Sequence, residues 1–302
     1  MTESTTSLSS AAKVQRFRRF LSAPTLTFLI IVTQIPFAFA LYYSFRNWNL
    51  NRPGEVNWIG WLNYKRIVEN PEFWPILWNT FILSMSVVVI TFVLGMTLAL
   101  LLNRPFRGRA LARTLLISPF LVMPVVTAVL WKNVLLDANS GLFNWALESI
   151  GLPQVNWLAQ YAMVSVIATV SWQWTPFVML ILLAGLQSLP ESTMEAAGLD
   201  GANGWKLFRY IILPHLRSFI EIALLMEVLF ILNIFGQIFV MTSGGPGIRS
   251  TNLPFEIYKV AFLEFNVSRA AAYGVLAVIF ANIIMLFFLR ILRDQNQLTV
   301  EA

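Results

Sequence analysis

The 302-residue sequence contains no cysteine and one histidine, His215. Without a thiol there can be neither a disulfide framework nor a thiolate metal site, and a single imidazole leaves metal chemistry short of ligands. Charge is scarce as well, at 12% of residues, about half of what a soluble domain carries. No G-x-x-x-x-G-K-[ST] string is present, so the chain has no P-loop in which to hold ATP. Strand-length alternation is absent, which argues against a β-barrel. No internal repeat, low-complexity tract or separate soluble domain stands out.

What fills the sequence is apolar: 57% of residues are hydrophobic. Several stretches reach the roughly 20 residues that cross a bilayer core as helix. Hydropathy places six spans, at about Pro24 to Phe45, Ile76 to Leu102, Arg113 to Leu135, Ala162 to Leu186, Leu216 to Thr242 and Ala270 to Leu292. The expected fold class is all-α integral membrane. Residues 24–292 form the membrane domain, with a loop at 187–215, between tails at 1–23 and 293–302. The first span follows Lys13, Arg16, Arg18 and Arg19, is longer than a signal-peptide core and lacks a clear cleavage site, so it reads as a retained anchor.

The net charge of +6 is not a nucleic-acid footprint, because the basic residues lie between spans. With the N-terminus inside, the cytoplasmic segments hold 13 of the 21 Lys and Arg, whereas the outer loop Leu136 to Gln160 holds none. The bias sets both termini inside. Trp48, Trp58, Trp61, Trp74 and Trp78 crowd the first outer loop and suit an interfacial belt. Pro119, Pro124 and Pro176 lie within spans, where each removes a backbone donor and permits a kink or local unwinding.

The loop from Gln187 to Arg217 reads as two short helices. Ser188 and Glu191 have capping-box spacing, and Asp200-Gly201 is a turn signal. A second helix is predicted from Ala202 to Ile211, ending before Pro214. Ala196, Ala197, Gly201 and Ala202 leave little bulk at the bend, so a partner's backbone can approach closely. Glu195 and Asp200 offer carboxylates to cations on that partner.

The spacing Glu195-Ala196-Ala197, three residues, Gly201, nine residues, Ile211-x-Leu213-Pro214 resembles the EAA loop of bacterial ABC importer permeases. Ser118-Pro119-Phe120, Trp131-Lys132-Asn133, Trp172 to Phe177, Gly244 to Gly247 and Ser250-Thr251-Asn252 are similar to the maltose-type carbohydrate permeases, especially their sorbitol and mannitol branch. The resemblance implies a type I importer permease in a bacterial inner membrane. The loop would dock on a cytoplasmic ATPase and carry its closure to the helices. It further implies two ATPase subunits that hold ATP and Mg, a second permease forming a heterodimer, and a periplasmic or lipid-anchored solute-binding protein. The solute would be a sugar or polyol, with a glycoside or an anionic sugar derivative as alternatives. No cofactor, catalytic residue or metal is expected on this chain.

A midplane carboxyl facing lipid costs about 3 kcal/mol or more, which singles out Glu227. If the fifth span is one helix, Glu227, Phe230, Ile234 and Gln237 fall on one stripe, with Asn233 at its flank. They either line a path for hydroxyl-rich solute or bond to neighbouring helices. The resemblance maps sugar contacts onto Glu227, Phe230, Ile231, Trp174 and Phe177. Trp174 and Ile231 stand where the maltose subunit has a small and a polar residue, which implies a smaller pocket. Glu221 is expected to pair with Arg217. Lys132 is expected to snorkel or meet an anionic solute, and Gly244 to Gly247 to form a tight turn or touch the binding protein. An ion-coupled carrier using Glu227 and an intramembrane enzyme using His215 are the competing readings.

Overall fold

The computed structural model describes residues 4–52, 54 and 56–297. Residues 1–3 and 298–302 of the expected tails, and the side chains of Lys13, Arg16, Arg18 and Arg19, lie outside what is described. Helix α1 (Ser4–Ser44) leads into a two-residue antiparallel ladder of β1 (Arg46–Asn47) and β2 (Asn57–Trp58) and a short α2 (Leu62–Val68). Then come α3 (Phe73–Asn103), α4 (Arg109–Leu121) and α5 (Pro124–Leu130), the last extended by a π turn at Trp131–Leu135. The next segment carries α6 (Leu142–Ser149) and α7 (Trp157–Gln160), followed by α8 (Ala162–Gln187). The remainder comprises α9 (Glu191–Leu199), α10 (Gly204–Leu207), a π turn at Phe208–Ile212, α11 (Leu213–His215), α12 (Arg217–Ile231), α13 (Gly236–Met241), α14 (Leu253–Tyr258), a π turn at Lys259–Leu263 and α15 (Val267–Gln297).

Four helical stretches are long and apolar enough to cross a bilayer: Ala23–Ser44, Phe73–Asn103, Ala162–Gln187 and Val267–Arg290. They coincide with expected spans one, two, four and six. The third is not a single kinked helix but a pair, Arg109–Leu121 and Pro124–Leu135, bent by 101°. Pro124 cannot continue α4 and pushes Met123 to an extended conformation at ψ 139°. The freed Val122 carbonyl accepts from Gln173 Nε2 at 2.8 Å. The fifth expected span is likewise two pieces. α12 ends at Ile231 and α13 begins at Gly236, and the Ile234 carbonyl between them accepts from Asn252 Nδ2 at 2.6 Å. In lipid an unpaired carbonyl costs several kcal/mol, so each break needs such a donor.

α3 and α8 form the most extensive helix pair. Gly95 permits it: a Cβ there would lie 3.0 Å from the Met179 backbone nitrogen and from Val178. One core cluster, including Val87, Val170, Ile231 and Ile238, fills one half of the bundle around α3, α5, α8 and α13, the half expected to be outer. A second, including Met96, Met179, Leu182 and Leu216, fills the other half, expected to be inner, and joins the α9/α10 elbow to α3 and α8.

Candidate functional site: the elbow after α9 and the aromatic wall

The elbow is built by local chemistry. α9 stops at Leu199, and Gly201 adopts φ +75°. The Gly201 N–H donates to Gly198 O at 3.1 Å and the Ala202 N–H to Ala197 O at 3.0 Å, the paired bonds of a Schellman stop. A Cβ on Gly201 would meet nothing within 4 Å inside the chain, so only its backbone conformation restricts it from within. Ala197 is the one buried residue of α9 and anchors it. Glu195, Ala196, Asp200 and Gly201 are exposed, Ala202 is half-buried, and Leu199 is 90% exposed. Trp205 and Tyr210 stand exposed just beyond.

Two local expectations are corrected. Ser188 does not cap α9; its hydroxyl donates to Gly185 O at 2.8 Å and lies 3.0 Å from His215 Nε2, so it closes α8 instead. His215 also lies 3.1 Å from the Gly185 carbonyl, a tie between helices rather than a reactive group. The second helix starts at Gly204, with Asn203 Oδ1 accepting from Lys206 N at 3.0 Å, and does not stop at Ile211. The π turn at Phe208–Ile212 widens the coil ahead of Pro214, and helix resumes to His215. Glu195 faces inward as well as out: with Asn103, Arg109, Gln187, Glu191 and Met194 it lines a recess of about 550 Å³. With its amide oxygen toward α4, Gln187 accepts from Arg109 Nη2 and Arg113 Nη2, each at 3.0 Å. Sequence reasoning missed this clasp, since its members are more than 70 residues apart.

In the membrane the predicted residues divide. Trp174 and Phe230 stack at 5.1 Å with 27° between planes, and Phe177 meets both edge-on at 5.7 and 6.1 Å. Phe120 joins them at 5.5 Å from Trp174 and 5.6 Å from Phe177. Phe230 is 50% exposed, so this wall has an open side. Phe120 belongs to the Ser118-Pro119-Phe120 motif at the end of α4, just before the α4/α5 bend.

The stripe does not continue past Ile231, because α12 ends there and α13 begins only at Gly236. Glu227 is wholly buried and accepts from Thr91 Oγ1 at 2.5 Å. Gln237 is also buried and donates to Gln173 Oε1 at 2.9 Å. Ile231 and Ile234 belong to the outer core cluster, and Asn233 is exposed, its amide donating to Leu229 O at 2.7 Å. Glu227 and Gln237 thus each bond to a neighbouring helix, α3 and α8. Lys132 is half-buried and donates to Val240 O at 2.9 Å. Glu221 pairs with Arg217 at 3.2 Å as expected. Gly244 and Gly247 have φ +81° and +61°, and a Cβ on Gly244 would lie 2.5 Å from Thr251 Oγ1, so a tight turn accounts for them. Among the described residues no group of three or more His, Asp or Glu is placed to hold a metal ion.

Comparison with known proteins agrees with this architecture over nearly its full length. Residues 6–295 match the family described as binding-protein-dependent transport system inner membrane component. A probable ABC transporter permease protein of Sinorhizobium fredii is 38% identical over 93% of both chains. The trehalose/maltose transport system permease protein MalF of Thermococcus litoralis is 32% identical over 83% of both. The sulfoquinovosyl glycerol transport system permease protein SmoG of Agrobacterium fabrum is 31% identical over 91% of this chain and 90% of its own. Among solved structures, a bacterial ABC transporter involved in the import of the acidic polysaccharide alginate aligns with TM-score 0.80 at 24% identity, over 95% of this chain and 98% of its own. That likeness carries the fold, and the family match carries the assignment: the chain belongs to the inner-membrane components of binding-protein-dependent transport systems, an ABC transporter permease and not an enzyme.

Proposed function

We propose that this chain lines half of the pathway of an ATP-driven importer for a neutral sugar or polyol. The carrying observation is the Trp174–Phe230 stack with its open side. Sugars and polyols have C–H faces that pack on aromatic rings, and a broad ring surface without fixed charge holds them weakly enough to release. None of Phe120, Trp174, Phe177 and Phe230 is charged, which favours a neutral solute over an anionic derivative. Relatives named for trehalose, maltose and sulfoquinovosyl glycerol support the carbohydrate class. The sorbitol and mannitol branch rests on the motif resemblance alone.

The termini lie on the cytoplasmic side, consistent with the charge bias. A second permease completes the pathway, and a binding protein delivers solute outside. Two ATPase subunits, which hold ATP and Mg, close inside. The exposed elbow at Glu195 to Ala202 docks on them and passes their closure through Leu216 and the inner core cluster to α3 and α8. Glu227, buried against Thr91, holds α12 to α3 and does not touch the solute.

Reconstitution with the partner subunits and binding protein tests this. Uptake of labelled trehalose, maltose, mannitol or sorbitol should require ATP on the ATPase side and survive a protonophore. Phe230→Ala should lower it by about tenfold, the weight of one lost ring contact, while the ATPase still co-purifies. Uptake that persists with a catalytically dead ATPase, or that collapses with the protonophore, would refute the proposal.

A further inference from the structure

The outer segment between α5 and α8 contains a helix whose burial is inverted. In α6, Asn144 is the buried residue, while Trp145 is 65% and Leu142 49% exposed. At 100° per residue Leu142, Trp145, Ala146 and Ser149 share one face, and Asn144 lies opposite. All four are exposed. The Asn144 carboxamide is satisfied from within: Nδ2 donates to the carbonyls of Ala138 and Val155 at 2.8 and 2.9 Å, and Oδ1 accepts from the Val155 N–H and the Trp157 indole at 3.1 Å. The one hydroxyl on the outward face is engaged too, Ser149 Oγ donating to Ala146 O at 2.7 Å. Exposed Ile150 and Leu152 follow directly.

A helix on a water-facing surface turns its Asn outward and its Leu and Trp inward. The reverse arrangement fits a helix whose surroundings are less polar than its own anchorage. Those surroundings are identified by continuity. Phe143 meets Trp131, at the outer end of α5, edge-on at 6.0 Å, and Trp131 meets Trp172 of α8 at 5.9 Å. These two segments carry exposed Val134 and Val164, and α8 is long and apolar enough to cross a bilayer. A face for a soluble partner that comes and goes would leave the same Leu and Trp in water between visits, which monomer surfaces avoid. Tryptophan, apolar in body with one N–H, suits the depth where acyl chains meet headgroups.

We propose that α6 is an interfacial helix lying on the outer leaflet, with Leu142 and Trp145 set among phospholipid acyl chains. Glu148, within 3.4 Å of Gln154 Nε2, marks its polar flank. The helix fixes the height of the outer loop above the membrane, and so the surface that a delivering protein meets.

The absence of cysteine makes the chain ready for single-site labelling. Spin labels at Leu142→Cys, Trp145→Cys and, as a water-side reference, Asn139→Cys would be read in the assembled transporter in phosphatidylcholine–phosphatidylglycerol liposomes, with partner cysteines replaced by serine. Labels at 142 and 145 should collide with oxygen severalfold more than with a water-soluble nickel chelate, with or without the binding protein, and the label at 139 should show the opposite. Nickel access at 142 and 145 would overturn the proposal, as would exclusion of both reagents, which would mean that protein covers the face. Nickel access lost on adding the binding protein would overturn it in favour of a docking surface.

Discussion

The breaks at α4/α5 and α12/α13 and the elbow at α9/α10 are all places where a helix stops and the chain turns, yet they are built by opposite means. Each membrane break is closed from a distance: Gln173, 51 residues from Val122, supplies one donor, and Asn252, 18 residues from Ile234, supplies the other. The elbow is closed by its nearest neighbours, Gly198 to Gly201 and Ala197 to Ala202, and leaves the outside of its bend uncovered. The difference follows from the solvent. Water satisfies a frayed helix end; hydrocarbon does not, so breaks in the membrane depend on side chains from elsewhere. One region is therefore sensitive to its interior and the other to its partner.

The largest expected effect separates these two sensitivities. Gly201→Asp should cost only about 1–2 kcal/mol of local stability, the usual penalty for a left-handed residue other than glycine, yet abolish uptake and substrate-stimulated ATP hydrolysis. Gly201→Asn tolerates the left-handed backbone but adds bulk. If Asn restored full transport, backbone conformation rather than close docking would explain the glycine. The effect is read as uptake and ATPase rate beside a thermal melt.

At the breaks the balance should reverse. Asn252→Ala removes both the donor to Ile234 O and the cap that accepts from Phe255 N. A loss of about 2 kcal/mol is expected, read as a lower melting temperature of the detergent-solubilised complex. An unchanged melt would show that water or another donor reaches the break. The smallest change belongs to Glu221→Gln. Its pair with Arg217 is partly exposed in the first turns of α12, so a loss below about 0.5 kcal/mol is expected. A larger loss would place this pair in the interior-sensitive class.

The same contrast decides what was legible in the sequence. Spans one, two, four and six were readable because lipid imposes their length and apolarity. The elbow's stop was readable because Asp200-Gly201 is a local signal. The breaks were only half readable: Pro124 announces a disturbance, but whether it yields a kink or a 101° bend depends on Gln173 arriving from α8. Asn233 gave less warning still, so a periodicity drawn across 232–235 joined Gln237 to Phe230 although the two lie on separate helices; Glu227 and Phe230 share α12 but differ in burial. Ser188 misled for the same reason, since His215 and Gly185 are neighbours only after folding. Trp174, Phe177 and Phe230 were named from the sequence, but their stacking needed both helices in place.

Gln173 has one further consequence. Its nitrogen holds the Val122 carbonyl, where α4 gives way to α5, and its oxygen holds Gln237 of α13. In mechanical language, two hinges share one pin. A tilt of α5 draws α13 with it, so the two interrupted helices have fewer independent degrees of freedom than joints, and their outer pieces form one lever.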